Sequence, residues 1–143
     1  MSVISSSELI TRTKDIVTDR VFEAILLYGG AVTFTANTTY PSLVEYEVPT
    51  IAGGYERLEF TFSPANILET ATGASTQTRY LTWVHDGNSE PIEFDTILIV
   101  EKEFAQPLNN YYVVATHSLG LKYSLIDSGD RARFAFRFNI KDK

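Results

Sequence analysis

The stretch RARFAFRFNI, residues 131–140, alternates between two kinds of side chain along its whole length. One side is apolar and mostly aromatic, and it consists of Ala132, Phe134, Phe136, Phe138 and Ile140. Successive side chains of a strand point to opposite faces, so this period of two predicts a half-buried β-strand with an aromatic inner face. The other side carries Arg131, Arg133 and Arg137, which we expect to form a solvated or partner-facing surface.

Short strand-like runs recur through the chain and are separated by turn residues. We predict strands in the ranges 21–28, 32–36, 44–48, 58–62, 80–85, 92–100, 111–116 and 121–126. The alternative for 21–28 is that it extends the N-terminal helix, because Glu, Ala and Leu are good helix formers. Polar stretches between them predict loops at 37–42, 69–78 and 104–110. We therefore predict a mainly β protein, an antiparallel, jelly-roll-like β-sandwich over residues 21–143 with one N-terminal helix.

Residues 1–20 are predicted to form an N-terminal arm that contains this helix. Ser5 and Glu8 have the spacing of a capping box, the side-chain arrangement that begins many helices. An apolar stripe at helical spacing follows and includes Leu9, Ile16 and Val17. We predict a helix at about residues 6–18, and we expect these three side chains to dock it on its own sheet or on a neighbouring molecule.

Length and composition favour one folded domain. The chain has 143 residues, 44% of them hydrophobic and 21% charged, and its formal net charge is −6. An acidic domain repels phosphate backbones, so we expect no nucleic-acid partner. No apolar run reaches the ~20 residues that cross a membrane, and the first residues lack a secretory pattern, so we expect no membrane partner. The absence of cysteine suits folding and assembly in a cytoplasm.

No group of residues has the spacing of a catalytic or metal site. His85 and His117 have no second histidine three or four residues away, and we expect each to end a strand. Glu45 and Glu47 are expected on the solvent side of the 44–48 strand rather than as a catalytic pair. We therefore predict no enzymatic activity, no metal, no cofactor and no small-molecule substrate. Trp83, the only tryptophan, is expected in the core.

Residues 47–62, EVPTIAGGYERLEFTF, resemble a segment of small structural proteins of tailed bacteriophages. In those proteins an acidic residue precedes a Gly-Gly-Tyr-x-Arg turn and a strand that ends in Thr-Phe-Ser. The matching positions here are Glu47, Gly53, Gly54, Tyr55, Arg57, Thr61, Phe62 and Ser63. The later order is similar as well, with a buried central strand at 94–100 and a closing hairpin turned at Ser128-Gly129-Asp130.

This resemblance implies a non-enzymatic virion protein of the tail-fibre and baseplate type. Its implied partners are other virion proteins and copies of itself, and its implied location is the virion, assembled in the host cytoplasm. The three predicted loops are then candidate contacts, and the 37–42 loop would present Tyr40.

The motif residues are expected to have structural roles. Gly53, Gly54, Gly129 and Asp130 are expected to shape turns, because glycine adopts backbone angles that other residues resist. Either Tyr55 or Leu58 is expected to cover the edge of the core. Arg57 is expected to pair with a carboxylate across strands, and the candidates are Glu45, Glu47 and Glu59.

Two other functions fit the same pattern. A capsid cement or decoration protein is also a virion component, but it binds the head shell rather than the tail. A carbohydrate-binding β-sandwich module would instead use aromatic side chains exposed on a sheet, for which the sequence offers Tyr80, Trp83, Tyr111 and Tyr112.

Overall fold

The computed structural model describes residues 20–30, 34, 37–63, 65, 67–70, 73–102 and 111–141. This part of the chain is mainly β, as predicted, and all of its strand pairings are antiparallel. The strands are β1 (Phe22–Leu27), β2 (Leu58–Phe60), β3 (Ile67–Thr70), β4 (Gly73–Thr76), β5 (Arg79–Val84), β6 (Ile92–Glu101), β7 (Tyr112–Leu125), β8 (Arg131–Phe136) and β9 (Asn139–Lys141).

The strands form three sheets. The four-stranded sheet has the order β2-β1-β6-β7, the three-stranded sheet has the order β3-β4-β9, and β5 pairs with β8. Strand β6 lies inside the four-stranded sheet, which confirms the predicted central position of 94–100. Its mostly apolar sequence follows from this place, because a strand covered on both faces has no solvent side.

Strand β1 is the centre of the core, and all six of its side chains are buried. Ala24 and Leu26 belong to a cluster that includes Trp83 from β5 and Ala132 from β8. This cluster joins one face of the four-stranded sheet to the β5–β8 pair. Burying each large aliphatic side chain contributes roughly 1.5–3 kcal/mol relative to exposure, so the contacts of β1 contribute strongly to the stability of the domain.

The opposite face of β1 is covered by a short helical segment. Ile25 and Leu27 pack in a second cluster that includes Tyr40 and Leu43. These two residues bound the helix α1 (Tyr40–Leu43), and a 3-10 turn at Val44–Tyr46 follows it directly. The predicted strand at 44–48 is therefore wrong apart from an isolated bridge between Glu47 and Leu27, and the predicted loop at 37–42 is confirmed only for residues 37–39. Pro41 in the first turn favours this helix start, because its fixed φ suits that position.

The 131–140 stretch keeps its predicted faces but is split between two sheets. Strand β8 pairs with β5, whereas β9 pairs with β4. Between them Phe138 exchanges hydrogen bonds with Thr76: its N–H donates to Thr76 Oγ1 at 3.0 Å, and its carbonyl accepts from the Thr76 N–H at 3.0 Å. The alternation therefore predicts which side chains face inward, but not the change of partner strand.

Two further secondary-structure predictions are wrong, one of a loop and one of a break between two strands. The predicted 69–78 loop contains the end of β3 and all of β4, which pair as a hairpin, and Ser75 and Thr76 are buried. The two strands predicted at 111–116 and 121–126 are one strand, β7. Four residues of β7, 119–122, lie opposite the single residue Asp95, and Gly120 has a φ of +78°. The glycine marks a bulge rather than a turn.

Several predictions lie outside the described residues. These are the helix at 6–18 with Leu9, Ile16 and Val17, the 104–110 loop, and the 32–36 strand apart from Phe34. In the described part of the chain the α-helix is α1, which has four residues and lies between β1 and β2.

Candidate functional site

Arg57 and Glu47 form a paired contact within the 47–62 segment. Arg57 Nε donates to Glu47 Oε2 at 2.7 Å, and Arg57 Nη2 donates to Glu47 Oε1 at 2.6 Å. Two parallel bonds of this kind fit the planar guanidinium to the planar carboxylate. Of the three predicted partners the structure selects Glu47, since Glu45 is exposed and Glu59 binds Lys102.

The remaining guanidinium nitrogen of Arg57 reaches two more groups. Arg57 Nη1 donates to Glu23 Oε1 at 3.0 Å and to the Tyr40 hydroxyl at 2.8 Å. The pKa of Arg57 is raised, chiefly by the hydrogen bond to Glu47, so the guanidinium stays charged. This one side chain thus connects β1, α1 and the segment before β2.

Tyr55 also belongs to this hydrogen-bond network. Its hydroxyl donates to Glu47 Oε2 at 2.7 Å and accepts from the backbone N–H of Leu26 at 3.1 Å. The residue is 2% exposed, so it lies inside the core rather than at the predicted edge. Burial, followed by the nearby Glu47 charge, raises the pKa of Tyr55 above its ordinary value and keeps it protonated.

Tyr40 is buried, so the 37–42 segment does not present it at the surface as the sequence predicts. It is 4% exposed, its hydroxyl accepts from Arg57, and its ring lies 5.1 Å from that of Tyr111. Burial also raises the pKa of Tyr40. The polar neighbours of Tyr40 in the sequence suggest a loop, but the side chain fills space beneath β1.

Gly53 and Gly54 shape a turn, as predicted, with φ values of +52° and +75°. Close packing adds a second requirement for glycine. A Cβ on Gly53 would lie 2.7 Å from His85 Nε2, and a Cβ on Gly54 would lie 2.5 Å from Asp86 Oδ2. The turn therefore accepts no side chain at either position without moving its neighbours.

His85 has a structural environment. It is 1% exposed and directly follows β5, which ends one residue before the predicted strand end. Its Nδ1 accepts from the Gly87 N–H at 2.9 Å, so Nε2 carries the proton and donates to the Glu90 carbonyl at 2.9 Å. Both ring nitrogens are thereby used within the turn, and neither points to a ligand.

Asn88 connects this turn to the glycine turn. Its Oδ1 accepts from the N–H of Gly53 at 3.0 Å, and its Nδ2 donates to the Ile51 carbonyl at 2.7 Å. The neighbouring Asp86 N–H donates to the Gly53 carbonyl at 2.9 Å. The two turns are thus held as one unit beside the core.

Gly129 and Asp130 form the predicted turn before β8. Gly129 has a φ of +89°. Asp130 Oδ2 accepts from the N–H groups of Asp127, at 2.9 Å, and Ile126, at 3.0 Å. These two bonds hold the pKa of Asp130 below its ordinary value, because they favour the ionised carboxylate.

The outer side of the β5–β8 pair is positively charged and exposed. We call it the basic face, and it consists of Tyr80, Thr82, Val84, Arg131, Arg133 and the adjoining Arg137. The three arginines are exposed, as predicted, and among the described residues they form no ion pair. The Arg133 guanidinium lies 4.1 Å from the ring centre of Tyr80, which stands diagonally across the strand pair.

A groove of about 400 Å³ has the opposite charge. We call it the acidic groove, and its walls include Tyr28, Glu45, Tyr46, Ile51, Glu90 and Pro91. Glu45 and Glu90 are exposed, and their carboxylates make no hydrogen bond or ion pair within the described part of the chain. Ile51 is 69% exposed and adds an apolar surface beside them.

A second groove, of about 340 Å³, is mostly apolar. It opens between β7 and β8, and its walls include Ile97, Ile99, His117, Phe134 and Phe136. His117 is exposed at its margin, and no other titratable side chain lines it.

The described residues contain no group of three or more His, Cys, Asp or Glu side chains placed to hold a metal ion. None of the described helices is both long enough and apolar enough to cross a membrane. Comparisons of the chain with models of protein families, with curated proteins and with solved structures find no match.

Sequence reasoning missed Glu23 and the acidic groove. Glu23 lies 34 residues before Arg57, inside an apolar run that gives no sign of an ion pair. The groove is built from the end of β1, the 45–52 segment and residues 90–93, so no pattern within one segment predicts it. Glu45 and Glu90 are far apart in the sequence, and nothing in their local sequence indicates that they line one groove.

Proposed function

We propose that this protein is a non-enzymatic structural component of a tailed-phage virion that assembles in the tail, baseplate or fibre-attachment apparatus. The proposed architecture is a β-sandwich in which the four-stranded sheet and the β5–β8 pair form the facing layers. The proposed partners are other virion proteins and further copies of the chain, and the proposed location is the assembled particle.

The observation that carries this proposal is the closed network of the motif residues. Glu47, Tyr55 and Arg57, which carry the resemblance, direct their polar atoms at each other and at β1. Gly53 in the same motif packs against His85. An active site presents reactive groups to a substrate, whereas these groups are used in holding loops to the sheet. The motif therefore supports a framework role.

A decoration protein of the capsid is the alternative in the same class. The contacts just described would serve it equally well, because they stabilise the domain without specifying its neighbour. Fractionation of purified particles into heads and tails, followed by quantitative mass spectrometry of the chain, separates the two. Recovery in the tail fraction is expected, and recovery with heads alone would favour the alternative.

Carbohydrate binding is the alternative from another class. Trp83 is 3% exposed and its Nε1 donates to the Glu56 carbonyl at 3.0 Å, so it presents no stacking surface. Tyr80 is 60% exposed, but Arg133 already stacks on its ring. We expect a glycan array to give no signal and sugars to leave Trp83 fluorescence unchanged. Specific glycan binding would replace the structural proposal with this one.

The proposed docking role of the N-terminal arm has its own test. Removal of residues 1–18 is expected to leave the β domain folded, with an unchanged circular dichroism signal for β structure, and to abolish incorporation into particles. Normal incorporation of the shortened chain would assign assembly to other surfaces.

A further inference from the structure

The basic face is an unusual surface for this chain. The net charge of the protein is −6, yet three arginines lie together on one side of β8 and the residue following it. On the paired strand β5 the outward residues are Tyr80, Thr82 and Val84, so no carboxylate of these two strands faces the arginines. Uncompensated charge of one sign on a rigid sheet favours a partner of the opposite sign.

The acidic groove supplies that opposite sign on the same molecule. It has four glutamates, of which Glu47 is paired with Arg57 and Glu93 with Lys122. Glu45 and Glu90 remain available. The groove and the basic face have no residue in common, so one molecule presents both at the same time.

Both surfaces also contain exposed apolar side chains. The basic face exposes Tyr80 and Val84, which are 60% and 46% exposed, and the groove exposes Ile51 and Tyr46, which are 69% and 37% exposed. Specific interfaces combine an apolar centre with a charged rim, and the charged rim sets the orientation and the rate of encounter.

We propose that the basic face of one copy binds in the acidic groove of the next copy. A two-fold axis through the middle of either surface would place that surface against itself, arginine facing arginine or glutamate facing glutamate, and like charges disfavour it. A head-to-tail contact pairs unlike charges, and its repetition builds a closed ring or an open filament. This contact rests on the assembly role proposed above and adds one partner to that role, a second copy of the chain.

The test uses the full chain and two charge-reversed variants. Variant one carries Arg133→Glu and Arg137→Glu on the basic face, and variant two carries Glu45→Lys and Glu90→Lys in the groove. Sedimentation analysis measures the average mass over a range of protein concentrations, at about 20 mM and about 1 M salt. Salt near 1 M shortens the screening length to ~3 Å and suppresses contacts between exposed charges.

The wild-type chain is expected to associate at low salt and to return to the 16.0 kDa monomer at high salt. Each variant alone is expected to stay monomeric at low salt. Mixing the two is expected to restore association, because the reversed face then meets the reversed groove. Glu56→Lys, an exposed charge reversal outside both surfaces, is expected to associate like the wild type.

A wild-type chain that stays monomeric at low salt overturns the contact, as do variants that associate like the wild type or a mixture that stays monomeric. Each variant must first match the wild-type circular dichroism spectrum and unfolding temperature; otherwise Arg133→Gln with Arg137→Gln replaces variant one, and loss of association is then the expected result. Presence in phage particles is measured separately, so failure of the contact and failure of the virion role are distinguished.

Discussion

The guanidinium of Arg57 and the carboxylate of Glu47 face each other through two hydrogen bonds, of 2.7 Å and 2.6 Å. The pair is partly buried, with 26% and 17% of the two side chains exposed. It anchors the segment that follows α1 to the segment that precedes β2. Most of the polar groups around it, including Glu23, Tyr40 and Tyr55, are satisfied through one of these two residues.

Replacement of Arg57 by methionine is expected to lower the free energy of unfolding by about 2–4 kcal/mol. The change keeps much of the side-chain volume but leaves the Glu47 and Glu23 carboxylates partly buried without their partner. Urea denaturation measures the difference. Arg57→Lys is expected to lose less than Arg57→Met, because it keeps the charge but not the paired geometry.

The control is Lys122→Met, which removes a more exposed ion pair with Glu93. Its expected cost is clearly smaller than that of Arg57→Met, since exposed pairs are screened by water. Equal costs for Arg57→Met and Lys122→Met would show that the Arg57 network contributes no more than an ordinary surface pair.

Replacement of Gly53 by alanine is expected to cost at least about 2 kcal/mol. Alanine there must adopt a positive φ and also displace the His85 ring. Gly30→Ala is the matched control, because Gly30 has a φ of +64° and open space around it, and its expected cost is about 1 kcal/mol. Thermal unfolding of both variants measures the difference, and equal losses would argue against tight packing at His85.

Replacement of Tyr55 by phenylalanine is expected to cost about 1–3 kcal/mol. The hydroxyl is the acceptor for the buried Leu26 N–H and a donor to Glu47, so its removal leaves both short of a partner. Tyr80→Phe is the control, with an expected change within about 0.5 kcal/mol, because Tyr80 is exposed. A cost for Tyr55→Phe as small as that of the control would contradict this account.

The raised pKa of Tyr55 also predicts a response to alkaline pH. The unfolded chain releases the phenolic proton near the ordinary value of 10, while the folded chain keeps it. The stability due to this group is therefore fully present below about pH 10 and is lost as the pH rises further. Unfolding free energies between pH 8 and pH 11 are expected to fall more steeply for the wild type than for Tyr55→Phe, and parallel curves would refute the assignment.

The lowered pKa of Asp130 predicts a response in acid. The Asp127 and Ile126 N–H groups stabilise its ionised form in the folded state. Its contribution is present above the unfolded-state pKa of about 3.9 and is lost as the pH falls through the lower folded pKa. A carboxyl NMR titration is expected to place the Asp130 midpoint below this ordinary value. A midpoint at or above the ordinary value would contradict the turn geometry.

The sequence predicts which face of a strand a side chain occupies better than it predicts which strand pairs with which. The alternation of 131–140 identifies the exposed arginines correctly, because the period of two is a local property. It does not predict the break after Phe136, where pairing passes from β5 to β4, since that depends on residues more than 50 positions away. A separation of 34 residues likewise hides Glu23 from any pattern in the segment around Arg57.

The secondary structure of short segments is predicted incorrectly where their sequence fits both a strand and a helix. Residues 44–48, VEYEV, alternate like a strand, but five residues also fit the end of a helix, and packing of Tyr40 and Leu43 under β1 decides the outcome. The 73–76 strand, GAST, has no apolar signal. It forms because Thr76 exchanges hydrogen bonds with Phe138 and because Ala74 is buried, and both contacts are made with distant parts of the chain.

The measurement that tests the central claim most directly is an image of the intact phage particle at side-chain detail. The account predicts several copies of this chain in the tail or baseplate, with Arg133 of one copy close to Glu45 or Glu90 of the next. A complete particle with no density for this chain would contradict it.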